Sequence, residues 1–318
     1  MFKPLVTAVI PTRNRPELVL RAVRSALGQT YENLEVVVVV DGPDPSTVAA
    51  LEELRNPCVR IIALSENVGG SEARNIGVRE AKGEWIALLD DDDEWFPEKT
   101  ELQVHAAVTS LEPRLIIAAQ YIDRSSKGDL IRPQRFQKVG QAISDYLFCE
   151  VPAIGPRQGF PQTSTLLVHK SLLIEVPFSR GLRRNQDSDW LLRAAPKSGG
   201  ELQIIPSVLA IFHNEQHEGR ISRHFDWRDS YEWCLINREL FTGKSFAYYL
   251  AAFCLPAAAR QKEGASVRLS LMRECFEYGE VTPMVLWFFL RHAIAAPLLK
   301  RLLPNQITRG ISWAMHRQ

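Results

Sequence analysis

Residues 88–97 read LLDDDDEWFP, four aspartates and a glutamate in immediate succession. Carboxylates this close repel one another and disfavour full ionisation unless a cation lies near. Asp90 and Asp92 are two residues apart, so on an extended segment their side chains point the same way. Such a pair suits magnesium or manganese, which bind through one or two carboxylates together with phosphate oxygens and water. Asp90, Asp91 and Asp92 are therefore candidates for a site that holds a divalent cation and a diphosphate. Asp93 and Glu94 read differently, as acids favoured at the positive end of the helix expected from Pro97 onward.

The acidic run follows WIALL, which belongs to a regular series. Strands are expected in VTAVIP (6–11), LEVVVVVD (34–41), VRIIALS (59–65), EWIALLD (84–90) and RLIIAAQYID (114–123). The unbroken valines of the second indicate a strand buried on both faces, as in parallel sheets. Helices fall between them. RPELVLRAVRSALGQT has Pro16 and Glu17 in its first turn and Gly28 at its stop. PSTVAALEEL is next, then SEARNIGVREAKG with a serine cap and a stop at Gly83, then PEKTELQVHAAVTS. This alternation predicts a three-layer α/β/α domain with a mostly parallel sheet. Ligands of such sheets bind beyond the carboxyl ends of the strands, where PTRNRP, DGPDPS, ENVGGSEARN and DDDDEW all fall.

The pattern weakens over residues 130–215. GPRQGFPQTST reads as a loop, TLLVHKSLLIEV as an apolar stretch and DSDWLLRAAPKSG as a helix start. ELQIIPSVLAIFH reads as a strand pair or as one strand bent at Pro206. Beyond 225 the chain reads as helical. The expected division is an α/β domain over 1–222, in two halves (1–125 and 126–222), followed by a helical region over 223–318.

With 38 basic and 37 acidic residues, a net charge of +1 offers no bulk attraction to nucleic acid. Five cysteines without a CxxC pair suit a reducing compartment. MVLWFFL is broken by Arg291 and His292 and is too short to span a bilayer. A cytoplasmic protein is expected. Its C-terminal aromatics and arginines serve either helix packing or peripheral contact with a membrane.

The order and spacing of AVIPTRNRPELVLRAVRSALGQTYENLEVVVVVDGPDPST and ENVGGSEARNIGVREAKGEWIALLDDDDEWFPEK resemble glycosyltransferase family 2, the GT-A fold, over about residues 5–125. The resemblance implies transfer of a sugar from a nucleotide-diphosphate donor, a UDP-sugar by expectation, to a hydroxyl of a glycan or lipid-linked acceptor, with inversion and with Mn²⁺ or Mg²⁺. It further implies roles for single residues. Pro11, Thr12 and Arg13 would hold the nucleotide base, with Asp41 accepting a hydrogen bond from its ring. Gly70, Arg74 and Asn75 would contact the nucleotide or donor. Asp92 would ligate the metal, with Asp90 or Asp91 on the ribose and His213 either completing the metal site or touching the diphosphate. Gln162 and Thr163 are candidates for the acceptor side, and His217, Arg220 and Ser222 for a lid. Gln186–Asp187 stands where many relatives carry Glu-Asp, and Asp187 would be the general base. The competing assignment for Asp187 is a helix N-cap, a task assigned instead to Asp189.

Two rivals remain. A nucleotidyltransferase would carry a glycine-rich, basic triphosphate loop after strand one, whereas PTRNRP has no glycine. A non-catalytic sugar-nucleotide binder would not need Asp90–Asp92 and Asp187 together, and Gln186 is the one departure in its favour.

Overall fold

The computed structural model describes residues 3–112, 114–149, 158–182, 184–199, 201–214 and 226–290. Its contacts cluster into two units. Among the described residues the first comprises 3–143 and 159–214, the second 144–149, 158 and 226–290.

In the first unit, β1 (Val6–Thr12), β2 (Leu34–Val40), β3 (Val59–Ala63) and β4 (Trp85–Leu88) pair in parallel. The strand order is β3-β2-β1-β4-β8-β6-β9-β5, with β7 paired to β6. The valines of β2 show why this strand lacks polar alternation. Val36, Val38 and Val40 join the core under α1 (Pro16–Leu27) and α2 (Pro45–Glu52), while Val37 and Val39 pack with Ala73 of α3 (Gly70–Glu80). Successive side chains point to opposite faces, and both faces are covered. Helix α3 can approach because Gly77 has no side chain: a Cβ there would stand 2.5 Å from Val9.

The second half of the sheet is mixed. β6 (Ile116–Ser125) runs parallel to β9 (Leu202–His213) and forms a hairpin with β7 (Gly128–Arg132). β8 (Leu167–His169) is antiparallel to both β4 and β6, and the two-residue β5 (Glu94–Trp95) is antiparallel to β9. β9 is one strand, bent. Its register against β6 shifts between Ile205 and Val208, so Pro206, which has no N–H to give the ladder, sits in the irregularity. Helices α4 (Lys99–Thr109), α6 (Lys170–Glu175) and α7 (Gln186–Ala194) complete the unit.

Three local expectations are corrected. Glycine, not serine, opens α3: Gly69 holds φ 86° at the N-cap and Ser71 lies inside the helix. Asn185, at φ 59°, occupies the N-cap of α7, whereas Asp189 lies a turn in, where it accepts from Ser179 and pairs with Arg193 at 2.6 Å. Asp93 and Glu94 do not start a helix, because α4 begins only at Lys99.

The second unit holds most of α5 (Ile143–Phe148), then α8 (Trp227–Ile236), α9 (Gly243–Tyr249), α10 (Leu255–Arg260), α11 (Ala265–Tyr278) and α12 (Pro283–Phe289). Phe148 anchors it, stacked on Phe241 with ring centroids 5.2 Å apart and edge-on to Tyr249 at 5.0 Å. Thr242 and Ser245 form a capping box at α9. A π-helical turn, Leu250–Cys254, joins α9 to α10 beside Pro256, whose missing N–H removes one α-helical bond. No helix among the described residues is long and apolar enough to cross a membrane.

Candidate active site

The loops after β1, β2, β3 and β4 are tied to one another by their own polar side chains. The Asp41 carboxylate, at the end of β2, accepts the N–H groups of Val68 (2.7 Å) and Gly69 (3.0 Å) from the loop after β3. Asp44 caps α2 through Thr47 N–H and accepts Asn14 N–H at 2.6 Å from the loop after β1. Thr12 donates to Asp91 Oδ2 at 2.8 Å.

Residues 89–93 then connect β4 to β5 at the far end of the strand order. The four aspartates divide among several partners. Asp90 pairs with Arg74 at 2.5 Å. Asp91 takes Arg15 at 3.1 Å as well as Thr12. Burial pushes the Asp91 carboxyl up to about 6, against the pull of Arg15 and with the push of Asp92 and Asp90. Asp92 lies 3.6 Å from the same Arg15 nitrogen, while its backbone carbonyl accepts from Arg21. Asp93 is fully buried, accepting from Ser164 Oγ at 2.5 Å and His213 N–H at 3.2 Å. Burial first, then Asp92 and Asp90, hold the Asp93 carboxyl well above the ordinary range. Glu94 faces His213 Nε2 at 2.7 Å and Arg21 at 3.5 Å.

The Asp187 side is built by α7 and the 3-10 turn Thr163–Thr165. Thr163 Oγ1 donates to Asp187 Oδ1. Burial, then the charge of Asp90, raises the Asp187 carboxyl above its ordinary value, and Thr163 and Arg74 act against that rise. Arg74 links the two sides, donating to Asp90 and, at 2.7 Å, to Gln186 Oε1. Gln186 Nε2 in turn donates to Leu182 O at 2.6 Å. An amide can accept from the arginine and donate to the carbonyl at once; a carboxylate has no proton to donate and would add a third negative charge beside Asp90 and Asp187.

Hydrogen bonds and ion pairs thus link Thr12, Asp41, Arg74, Asp90–Asp92, Thr163 and Asp187 near the carboxyl ends of the parallel strands. Other expected residues are placed differently. Pro11 is buried in β1 and Arg13 is exposed, so Arg15 is the arginine of PTRNRP that reaches the acidic run. Gly70 opens α3 next to Arg74. Asn75 is engaged in the scaffold, exchanging two hydrogen bonds with the backbone of Phe178 and donating to Glu72. His213 Nε2 faces Glu94 Oε1 at 2.7 Å, and burial lowers the pKa of the ring against the pull of that carboxylate. Gln162 approaches Tyr121 OH at 3.4 Å. His217, Arg220 and Ser222 lie outside the described residues. Arg15 and Ser164 were not anticipated: nothing in PTRNRP says which arginine turns inward, and Ser164 lies in a turn without a periodic signal.

A parallel α/β half with polar strand ends, extended by a mixed half that carries a second carboxylate, is the architecture of GT-A sugar transferases. The Glycosyl transferase family 2 pattern matches residues 7–185, more than half of the chain. The chain belongs to glycosyltransferase family 2. Asp187 lies just past the matched span. Among curated relatives, the amylovoran biosynthesis glycosyltransferase AmsB of Erwinia amylovora is 27% identical over 76% of this chain and 82% of its own length. The succinoglycan biosynthesis protein ExoO of Rhizobium meliloti is 30% identical over 69% of this chain and 63% of its own length. Among solved structures, the mannosyltransferase PcManGT of Pyrobaculum calidifontis, in complex with GDP-Man and Mn²⁺, superposes with a TM-score of 0.57 at 17% identity, covering 99% of this chain and 80% of that one. S. aureus TarS 1–349 in complex with UDP-GlcNAc gives 0.52 at 16% identity, over 91% and 79% of the two chains.

Proposed function

We propose that this glycosyltransferase is inverting and metal-dependent. It moves a sugar from a nucleotide-diphosphate donor to a hydroxyl of a glycan or lipid-linked acceptor, in the synthesis of a polysaccharide or cell-envelope glycan. The named roles of AmsB and ExoO in amylovoran and succinoglycan biosynthesis support the product class. Structural neighbours carry UDP-GlcNAc and GDP-Man, so both uridine and guanosine donors are to be tested.

The observation that carries the reading is the single arginine shared between an acidic strand-end run and the segment opening α7: Arg74 holds Asp90 on one side and Gln186, next to Asp187, on the other. Asp187 takes the proton of the acceptor hydroxyl as that oxygen forms its bond to the anomeric carbon. The bond from that carbon to the diphosphate breaks, and the diphosphate leaves with the electron pair. Arg15 lies close to both Asp91 and Asp92, at 3.1 and 3.6 Å, and counters their mutual repulsion.

The residues suit a cation shared with the donor. Among the described residues no three His, Cys, Asp or Glu side chains converge as metal ligands. Mn²⁺ and Mg²⁺ held by one or two carboxylates complete their shells with phosphate oxygens and water. Asp92 is the residue that would hold it, and the cation would stabilise charge on the departing diphosphate. The exposed apolar side chains Leu269, Phe276, Leu286 and Trp287 on α11 and α12 support peripheral membrane contact.

A thermal-shift screen of nucleotide sugars with Mn²⁺ tests the donor assignment. Wild type is expected to gain several degrees with its donor, and Asp92→Ala to lose the Mn²⁺-dependent part of that gain. Full Mn²⁺-dependent stabilisation and turnover in Asp92→Ala would sink the metal assignment.

A further inference from the structure

We propose that Thr163 is the positioning residue for the base Asp187, and that the Thr163–Thr165 turn sets that base against the acidic run. This rests on the reading of Asp187 just given. All three residues of the turn are fully buried. Thr163 Oγ1 donates to Asp187 Oδ1. Its neighbour Ser164 donates to Asp93 Oδ2 at 2.5 Å and accepts Asp90 N–H at 3.1 Å, so adjacent hydroxyls grip the two sides of the site.

The turn itself has little freedom. Ser164 O accepts Trp95 Nε1 at 2.7 Å, Thr165 O accepts Gln103 Nε2 at 2.7 Å, and Thr165 Oγ1 donates to Gln162 O at 2.7 Å. A β-branched residue on this frame has a restricted χ1, so its hydroxyl points where the backbone sends it. The consequence for Asp187 is orientation: a carboxylate held through one oxygen cannot rotate away from the incoming hydroxyl. There is also a consequence for charge. The groups facing Asp187 are Asp90 beyond β4, Arg74 of α3, Thr163 and, on β6, Tyr121. Burial and Asp90 favour the protonated acid, while Thr163 and Arg74 favour the carboxylate that a base must be.

The test uses the full chain as wild type, Thr163→Val, Thr163→Ser and Asp187→Asn. One readout is the ¹³C titration of labelled aspartate carboxyls, with Asp187→Asn identifying the signal. The other is transfer from whichever nucleotide sugar the Mn²⁺ screen selects. Thr163→Val is expected to raise the Asp187 midpoint by about 1 pH unit. It should also lower kcat at neutral pH at least about 10-fold, with KM for the donor little changed. Thr163→Ser should restore both. An unmoved midpoint with wild-type kcat in Thr163→Val, or an effect on donor KM alone, overturns the inference. So does a serine variant as impaired as the valine one. If Asp187→Asn transfers at the wild-type rate, the assignment of the base itself has failed; if it is inactive while Thr163→Val titrates as wild type, only the role of Thr163 has.

Discussion

At the scale of residues, the acidic run is held at a cost to stability. The Asp91 carboxyl sits at about 6 because it is buried, whereas its ordinary value is 3.8. A folded-state value above the unfolded one means that the folded chain binds more protons in between. Stability without ligand therefore falls as pH rises from about 4 to about 6, and the deficit persists above that. The shift corresponds to roughly 3 kcal/mol at neutral pH. A cation held at Asp92 would offset it, since positive charge one residue away favours the ionised Asp91 carboxyl. The Mn²⁺-induced rise in Tm is accordingly expected to grow as pH passes upward through about 6, measured from pH 5 to pH 8. A rise independent of pH would contradict the burial of Asp91 as its cause. The types and strand-end position of Asp90–Asp92 were legible in the sequence. The separate fates of Asp93 and Glu94 were not, because both are set by contacts with Ser164 and His213, 71 and 119 residues away.

At the scale of elements, the parallel half could be read almost in full because its signals are local. Five valines, a proline in a first turn and an acid after an apolar run each report a neighbourhood of a few residues. β5, β7 and β8 carry no such signal. They are two, five and three residues long and exist because longer strands beside them need partners. The opening of α3 misled for a related reason: Ser71 is a good cap by type, but the chain turns at Gly69 with φ 86°, and glycine accepts that conformation without strain. Close approach makes a second glycine indispensable. At Gly83 a Cβ would lie 2.6 Å from Thr7 Oγ1, 2.7 Å from Thr7 N and 2.8 Å from Leu5 O, two of them backbone atoms that cannot swing aside. Gly83→Ala is expected to cost about 1–3 kcal/mol, as overpacking does. Urea unfolding measures it, and an unchanged midpoint would contradict the packing of β1 against the turn before β4.

At the scale of the whole molecule, the helical unit is not simply a tail. It includes the chain around Phe148, whose ring partners Trp233, Phe241, Tyr249 and Phe253 all come from beyond residue 226. No sequence periodicity announces this, since the six-residue helix around Phe148 is too short to show a helical repeat. Removing residues 223–318 takes away those partners together. The fragment 1–222 is expected to aggregate or to melt far below the intact chain, as followed by circular dichroism; a fragment with the full-length Tm would contradict the description of the second unit. The reaction, in contrast, is assigned to the first unit, which holds both the acidic run proposed to meet the diphosphate and Asp187, the proposed base. Its most direct test is the anomeric configuration of the product, read by NMR before it equilibrates. A single displacement predicts inversion relative to the donor, and a product that retains the donor's configuration would contradict it.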